Sequence, residues 1–197
     1  MSYFVCVRFS IFIVILTICI FLINTRMQPE KRIKAIIGSV LICSFICFTV
    51  LWFIPFENSF LSFSTAQEAY SYYSNDDVEI MIEGSDTCLI VANNKKTRQM
   101  LIFQKQEDGW KIKNGSNVTI SGINSSDNTF CYLIYDSSSK DRYITISNIV
   151  KSELNISDSF GTEFFKDSQN NYYAYFEKLP DDYVLTVNGK TVEIEFK

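Results

Sequence analysis

Two apolar runs dominate the first quarter of the chain, Phe9 to Asn24 and Ala35 to Ile54, about 16 and 20 residues long and free of acidic side chains. At 1.5 Å per helical residue the second reaches about 30 Å, the hydrocarbon thickness of a bilayer. The pattern predicts helices over about 3–24 and 35–54 joined by a short loop, 25–34, as a two-helix transmembrane hairpin within residues 1–55. After Pro55 the pattern shortens. Ser64 and Gln67, then Thr65 and Glu68, form two overlapping capping boxes. Ala66, Ala69, Tyr70 and Tyr73 follow at i, i+3, i+4 and i+7, so a short helix ending at Asn75-Asp76-Asp77 is expected.

From Val78 the period is two. Strands are expected at 78–83, 87–92, 99–105, 110–113, 117–120, 129–135, 142–149, 162–165, 171–177, 183–187 and 191–196. Turns such as Glu83-Gly84-Ser85-Asp86, Asn93-Asn94-Lys95-Lys96, Glu107-Asp108-Gly109 and Ser137-Ser138-Ser139-Lys140 separate them. Short strands at this spacing predict an all-β outer domain, a β-sandwich or barrel-like, over 56–197, beginning with one short α-helix. The polar stretch Asn114 to Asp127 divides it into sub-units 63–113 and 129–197, or lies within one continuous domain. Asn188-Gly189 is a type I′ turn signal. A two-residue loop there pairs Val187 with Lys190, Leu185 with Val192 and Tyr183 with Ile194 on one face, which Phe196 extends.

Charge sets the expected orientation. The loop carries Arg26, Lys31, Arg32 and Lys34 against Glu30, and past the second run no basic residue occurs before Lys95. By the positive-inside rule the loop is cytoplasmic, with both termini and the C-terminal domain outside. Arg8 is then expected to snorkel to the outer headgroups. Positive charge on the wrong side and the lack of a small-x-small site after Ile23 argue against a cleaved signal peptide. Ala35, Ser39, Cys43 and Cys47 recur every four residues, a stripe of small side chains suited to close helix packing; Cys6, Ser10 and Thr17 are expected to face it from the first helix. The net charge of −4 divides into +4 on the hairpin and −8 on residues 55–197. An acidic outer domain disfavours nucleic acid and anionic lipid, and suits cationic peptides or simple solubility.

Candidate chemistry is sparse. The chain has no histidine, which removes Ser-His-Asp and Cys-His nucleophile systems and imidazole-ligated zinc. No catalytic residue, metal ligand or cofactor is expected. Ser137-Ser138-Ser139-Lys140 matches S-x-x-K but lies in a turn, not at a helix start. Cys6, Cys19, Cys43 and Cys47 fall in the apolar segments. Cys88 and Cys131 lie in the outer domain, where a disulfide between them would close a loop of about 43 residues. Each also sits within an apolar run, the setting of a buried thiol. Tyr172, Tyr173 and Tyr175 are the candidate ligand-binding residues, as an aromatic face for sugar or peptide. Alternation in a strand nevertheless places part of that cluster in the core.

Phe63-Ser64-Thr65-Ala66-Gln67-Glu68-Ala69-Tyr70, Asp108-Gly109-Trp110-Lys111-Ile112 and Leu179-Pro180-Asp181-Asp182-Tyr183-Val184-Leu185 resemble small, uncharacterised membrane-anchored exported proteins of Gram-positive bacteria. The likeness covers 63–197 and rests on a helix cap, a turn and a hairpin. It implies a cell-envelope location and supplies no catalytic residue. The expectation is a non-enzymatic, membrane-anchored extracytoplasmic binding or accessory protein with an envelope protein or peptide as partner. The alternative is an immunity-type or envelope-stress protein acting through its hairpin.

Overall fold

The computed structural model describes residues 3–26, 28–94, 97–112, 118–126 and 129–192. They form two compact units, Met1–Asn75 and Asp76–Lys197. The first is helical: α1 (Tyr3–Arg26), α2 (Pro29–Phe53), a 3₁₀ turn at Phe56–Ser59 and α3 (Ala66–Tyr73). Neither long helix has a Pro in its interior, and both are built largely from Ile, Leu, Phe and Val. They run antiparallel, since Arg8 meets Glu57 while Cys19 meets Cys43. Among the described residues α1, 24 residues and about 36 Å long, is long and apolar enough to cross a membrane. The described apolar stretch of α2, Ile33–Ile46, is shorter than a span.

Helix α3 starts where its cap dictates. Thr65 Oγ1 accepts the Glu68 N–H at 3.1 Å, and the Glu68 carboxylate accepts the Ser64 N–H and hydroxyl at 3.0 and 2.6 Å. One acid therefore closes the cap, and Gln67 turns instead to Ser71. The helix expected to open the outer domain is compact with the long helices: Phe4 of α1 packs on Tyr72 and Tyr73, with ring centroids 6.5 and 5.1 Å apart.

The second unit is mostly β, in three sheets. The first is the meander β1 (Asp77–Glu83), β2 (Thr87–Asn94), β3 (Thr97–Gln106) and β4 (Gly109–Trp110). The second has the order β5-β6-β7-β10-β9, from β5 (Val118–Ser126), β6 (Thr129–Asp136), β7 (Arg142–Asn148), β10 (Tyr172–Phe176) and β9 (Phe165–Lys166). The third is β12-β11-β8, from β12 (Lys190–Val192), β11 (Leu185–Val187) and β8 (Ile156–Asp158). The strand at Ile156–Asp158 was not expected from its polar, very short sequence, and it pairs with β11 through Leu185–Asp158 and Val187–Ile156.

The second sheet lies between the other two, because its strands alternate two apolar faces. Ile134, Tyr143 and Tyr173 form one core with Ile80, Ile82, Leu89, Val91 and Ile102 of the first sheet. Cys131, Leu133, Ile144, Ile146 and Tyr172 form another with Tyr183, Leu185, Val187 and Val192 around the third. The terminal hairpin has the expected register over its described residues, Val187–Lys190 and Leu185–Val192. Asn188 and Gly189 have φ of 50° and 76°, as a type I′ turn requires. Ile194, Phe196, Asn117, Lys113 and the Lys95-Lys96 turn lie outside the described residues.

Candidate functional site

A buried ion pair lies in the helical unit. Arg8, near the start of α1, donates from Nε and Nη2 to the two carboxylate oxygens of Glu57, both at 2.7 Å, and from Nη2 to the Ile54 carbonyl at 3.1 Å. Its guanidinium lies 3.7 Å from the Phe4 ring centroid and 5.3 Å from that of Phe56. Both side chains are buried, so a two-pronged ionic bond walled by aromatic rings joins the end of α2 to the start of α1. Arg8 thus has a partner that the apolar pattern does not announce, an acid 49 residues away. Beside the pair the Tyr72 hydroxyl is buried without a hydrogen-bond partner. Burial, and then the Glu57 charge, push that phenol above its ordinary pKa.

The small-residue stripe of α2 is half-buried at Ala35, Ser39 and Cys43, while Ile33, Ile37, Leu41 and Phe45 are exposed. The Cys47 side chain lies outside the described residues. On α1 the expected partners are elsewhere: Cys6, Ser10 and Thr17 are exposed, and the two hydroxyls bond back to the Cys6 and Ile13 carbonyls of their own helix. The half-buried residues of α1 are instead Phe4, Val7, Ile11, Phe12, Leu16, Cys19, Ile20 and Ile23.

In the β unit two buried carboxylates close the ends of the core between the first and second sheets. At one end Asp141 Oδ2 accepts from Asp86 N–H, Thr87 N–H and Thr87 Oγ1 at 2.9, 2.7 and 2.8 Å, and Oδ1 accepts the Tyr175 hydroxyl at 3.0 Å. Burial raises its pKa, but the bonds from Thr87, Asp86 and Tyr175 outweigh it and hold the carboxyl below its ordinary value. At the other end Asp167 accepts from the Asn171 and Gln169 N–H groups, from Tyr173 Oη at 2.8 Å and from Arg98 at 3.2 Å. With every oxygen saturated by donors, neither acid is placed to take a proton from a substrate.

The tyrosines proposed as a ligand face serve this packing. Tyr172 and Tyr173 are buried on opposite faces of β10, and Tyr175 packs against the first core with its hydroxyl on Ser85 and Asp141. Tyr173 has its pKa raised chiefly by burial. Cys88 and Cys131 are both unpaired and buried, the thiol rather than the bridge of the two settings open from the sequence. The reason is layering: Cys88 points from the first sheet away from the Leu89–Val91 core, whereas Cys131 points from the far face of the second sheet toward the third. Burial pushes the two thiols up to about 12 and about 11. Ser137 and Lys140 are exposed in the β6–β7 turn. An open groove of about 890 Å³ on this unit is lined by Ser85, Asp86, Lys105, Gln106, Glu107 and Asp108.

Sequence reasoning passed over Glu57, Asp141 and Asp167. For Glu57 a signal existed, an Arg inside one apolar segment and an isolated acid just past the next. No known protein family, curated protein or solved structure matches the chain.

Proposed function

We propose that this is a membrane-anchored protein whose helical hairpin crosses the bilayer twice and holds a β unit outside the cytoplasm. There it binds an envelope protein or peptide without catalysing a reaction. The observation that supports the anchor is the outward surface of the hairpin: Phe9, Phe21, Leu41 and Phe45 are 57, 65, 66 and 71% exposed, amid a continuous band of exposed Ile, Val and Leu. Water would make such a band strongly unfavourable, and hydrocarbon accepts it. Placing Arg26, Lys31 and Lys34 at one end and the neutralised Arg8–Glu57 pair at the other favours the basic end in the cytoplasm. The binding role draws its support from the rigid, doubly packed β unit and from the missing histidine chemistry.

Single cysteines at Gln28 and Ser137 in a cysteine-free background test this topology. In intact cells an impermeant thiol reagent should label only the second, and labelling at Gln28 would reverse the orientation. Deleting residues 76–197 tests the binding role: function persisting in the hairpin alone would favour the immunity-type reading.

A further inference from the structure

We infer that Cys19 and Cys43 form a redox couple inside the helical hairpin, closed to a disulfide by a lipid-soluble quinone. Their sulfurs lie 3.6 Å apart across the α1–α2 interface, both half-buried. The two helices are fixed in register around them by the Arg8–Glu57 fork at one end and by the short connection after Arg26 at the other. Closing to the ~2.0 Å of a disulfide takes about 1.6 Å of combined sulfur movement, within the reach of small χ1 adjustments.

The surroundings select the chemistry. A soft monovalent cation held by two thiolates would leave a net negative charge among Ile, Leu and Phe side chains, which a low-dielectric setting penalises. A disulfide is neutral and loses only two hydrogens. In the step, both S–H bonds break and one S–S bond forms; two electrons and two protons pass to the quinone, which leaves as the hydroquinone. The other described thiols lack this arrangement: Cys88 and Cys131 are sealed in separate layers, and Cys6 is exposed on the outside of α1. Closure would make a helix pair now held by the Arg8–Glu57 fork and side-chain packing covalent about midway along its length.

The identity of the oxidant rests on the membrane reading, so the test keeps the two apart. The full chain is reconstituted in lipid nanodiscs and treated with a short-chain benzoquinone analogue or with tetrathionate, which stays in water. Peptide mapping without reductant, together with intact mass, reads the product. The expected result is a loss of two hydrogens and a Cys19–Cys43 linked peptide with the quinone, reversed by reductant and abolished by Cys19→Ser and by Cys43→Ser. No linkage with the quinone, a link through any other cysteine, or linkage with tetrathionate alone would overturn the proposal. Flotation of the untreated chain with vesicles independently reports whether the hairpin is in the membrane.

Discussion

Arg8 and Glu57 meet as a fork, each of two guanidinium nitrogens 2.7 Å from a different carboxylate oxygen, and through them the start of α1 is held to the residues just past α2. Taking either charge away leaves the other buried without compensation, which typically costs about 3–5 kcal/mol. Arg8→Met or Glu57→Leu alone should therefore lower the thermal midpoint of the full chain in detergent clearly. The double variant should recover most of the loss. Additive losses in the double-mutant cycle would show that the pair is solvated rather than buried.

The Asp141 carboxylate predicts a dependence on pH. Its folded pKa lies below the unfolded value of about 3.9, so the bonds it accepts stabilise the fold fully above about pH 5. That contribution is lost as pH falls through the lowered folded value. Asp141→Asn should destabilise the protein at neutral pH and flatten the acid side of the stability profile. Gly84→Ala should act at the same place, because a Cβ there would lie 2.6 Å from Asp141 Oδ2 and from Tyr175 Cε2. The expected cost is about 1–3 kcal/mol, against about ±0.5 kcal/mol for Ser137→Ala in the adjacent exposed turn. Denaturant unfolding at several pH values reads both.

Thiol accessibility checks the layering. With Cys6, Cys19, Cys43 and Cys47 replaced by Ser, the native protein should react negligibly with a thiol reagent at pH 8. Cys88 and Cys131 are buried, and their pKa values, about 12 and about 11, leave little thiolate. Denaturation without reductant should release two reactive thiols. Finding none would restore the disulfide.

The third sheet covers the second through Leu185, which is fully buried. Leu185→Ala should cost about 2–5 kcal/mol, whereas Thr186→Ala, one position along on the other face, should cost much less. Equal losses would mean that β11 is covered on both faces.

Much of the β unit can be read from the chain because its signals are local. The Asn188-Gly189 turn and the alternation around it determine β11 and β12, and the Thr65–Glu68 cap sets the start of α3. The layering is legible too, in the density of apolar residues: Phe130-Cys131-Tyr132-Leu133-Ile134-Tyr135 is apolar at every position, the mark of a strand covered on both faces. Strand β8 escaped because three residues, two of them polar, carry no period. The polar clasps escaped for a different reason. Asp141 meets Thr87 across 54 residues and Asp167 meets Arg98 across 69, separations over which a sequence pattern is silent until the topology is known.

The chain visits its layers by turns: after β7 it crosses to the third sheet for β8, returns to the second for β9 and β10, and crosses again for β11 and β12. A ribosome that stopped near Glu177 would therefore release something worse than a shortened protein. It would carry the second sheet with Cys131, Leu133, Ile144 and Ile146 uncovered and β8 without a strand to pair with, an adhesive surface of the kind that proteases and chaperones remove. Quality control of this unit is thus decided by the segment that follows β10.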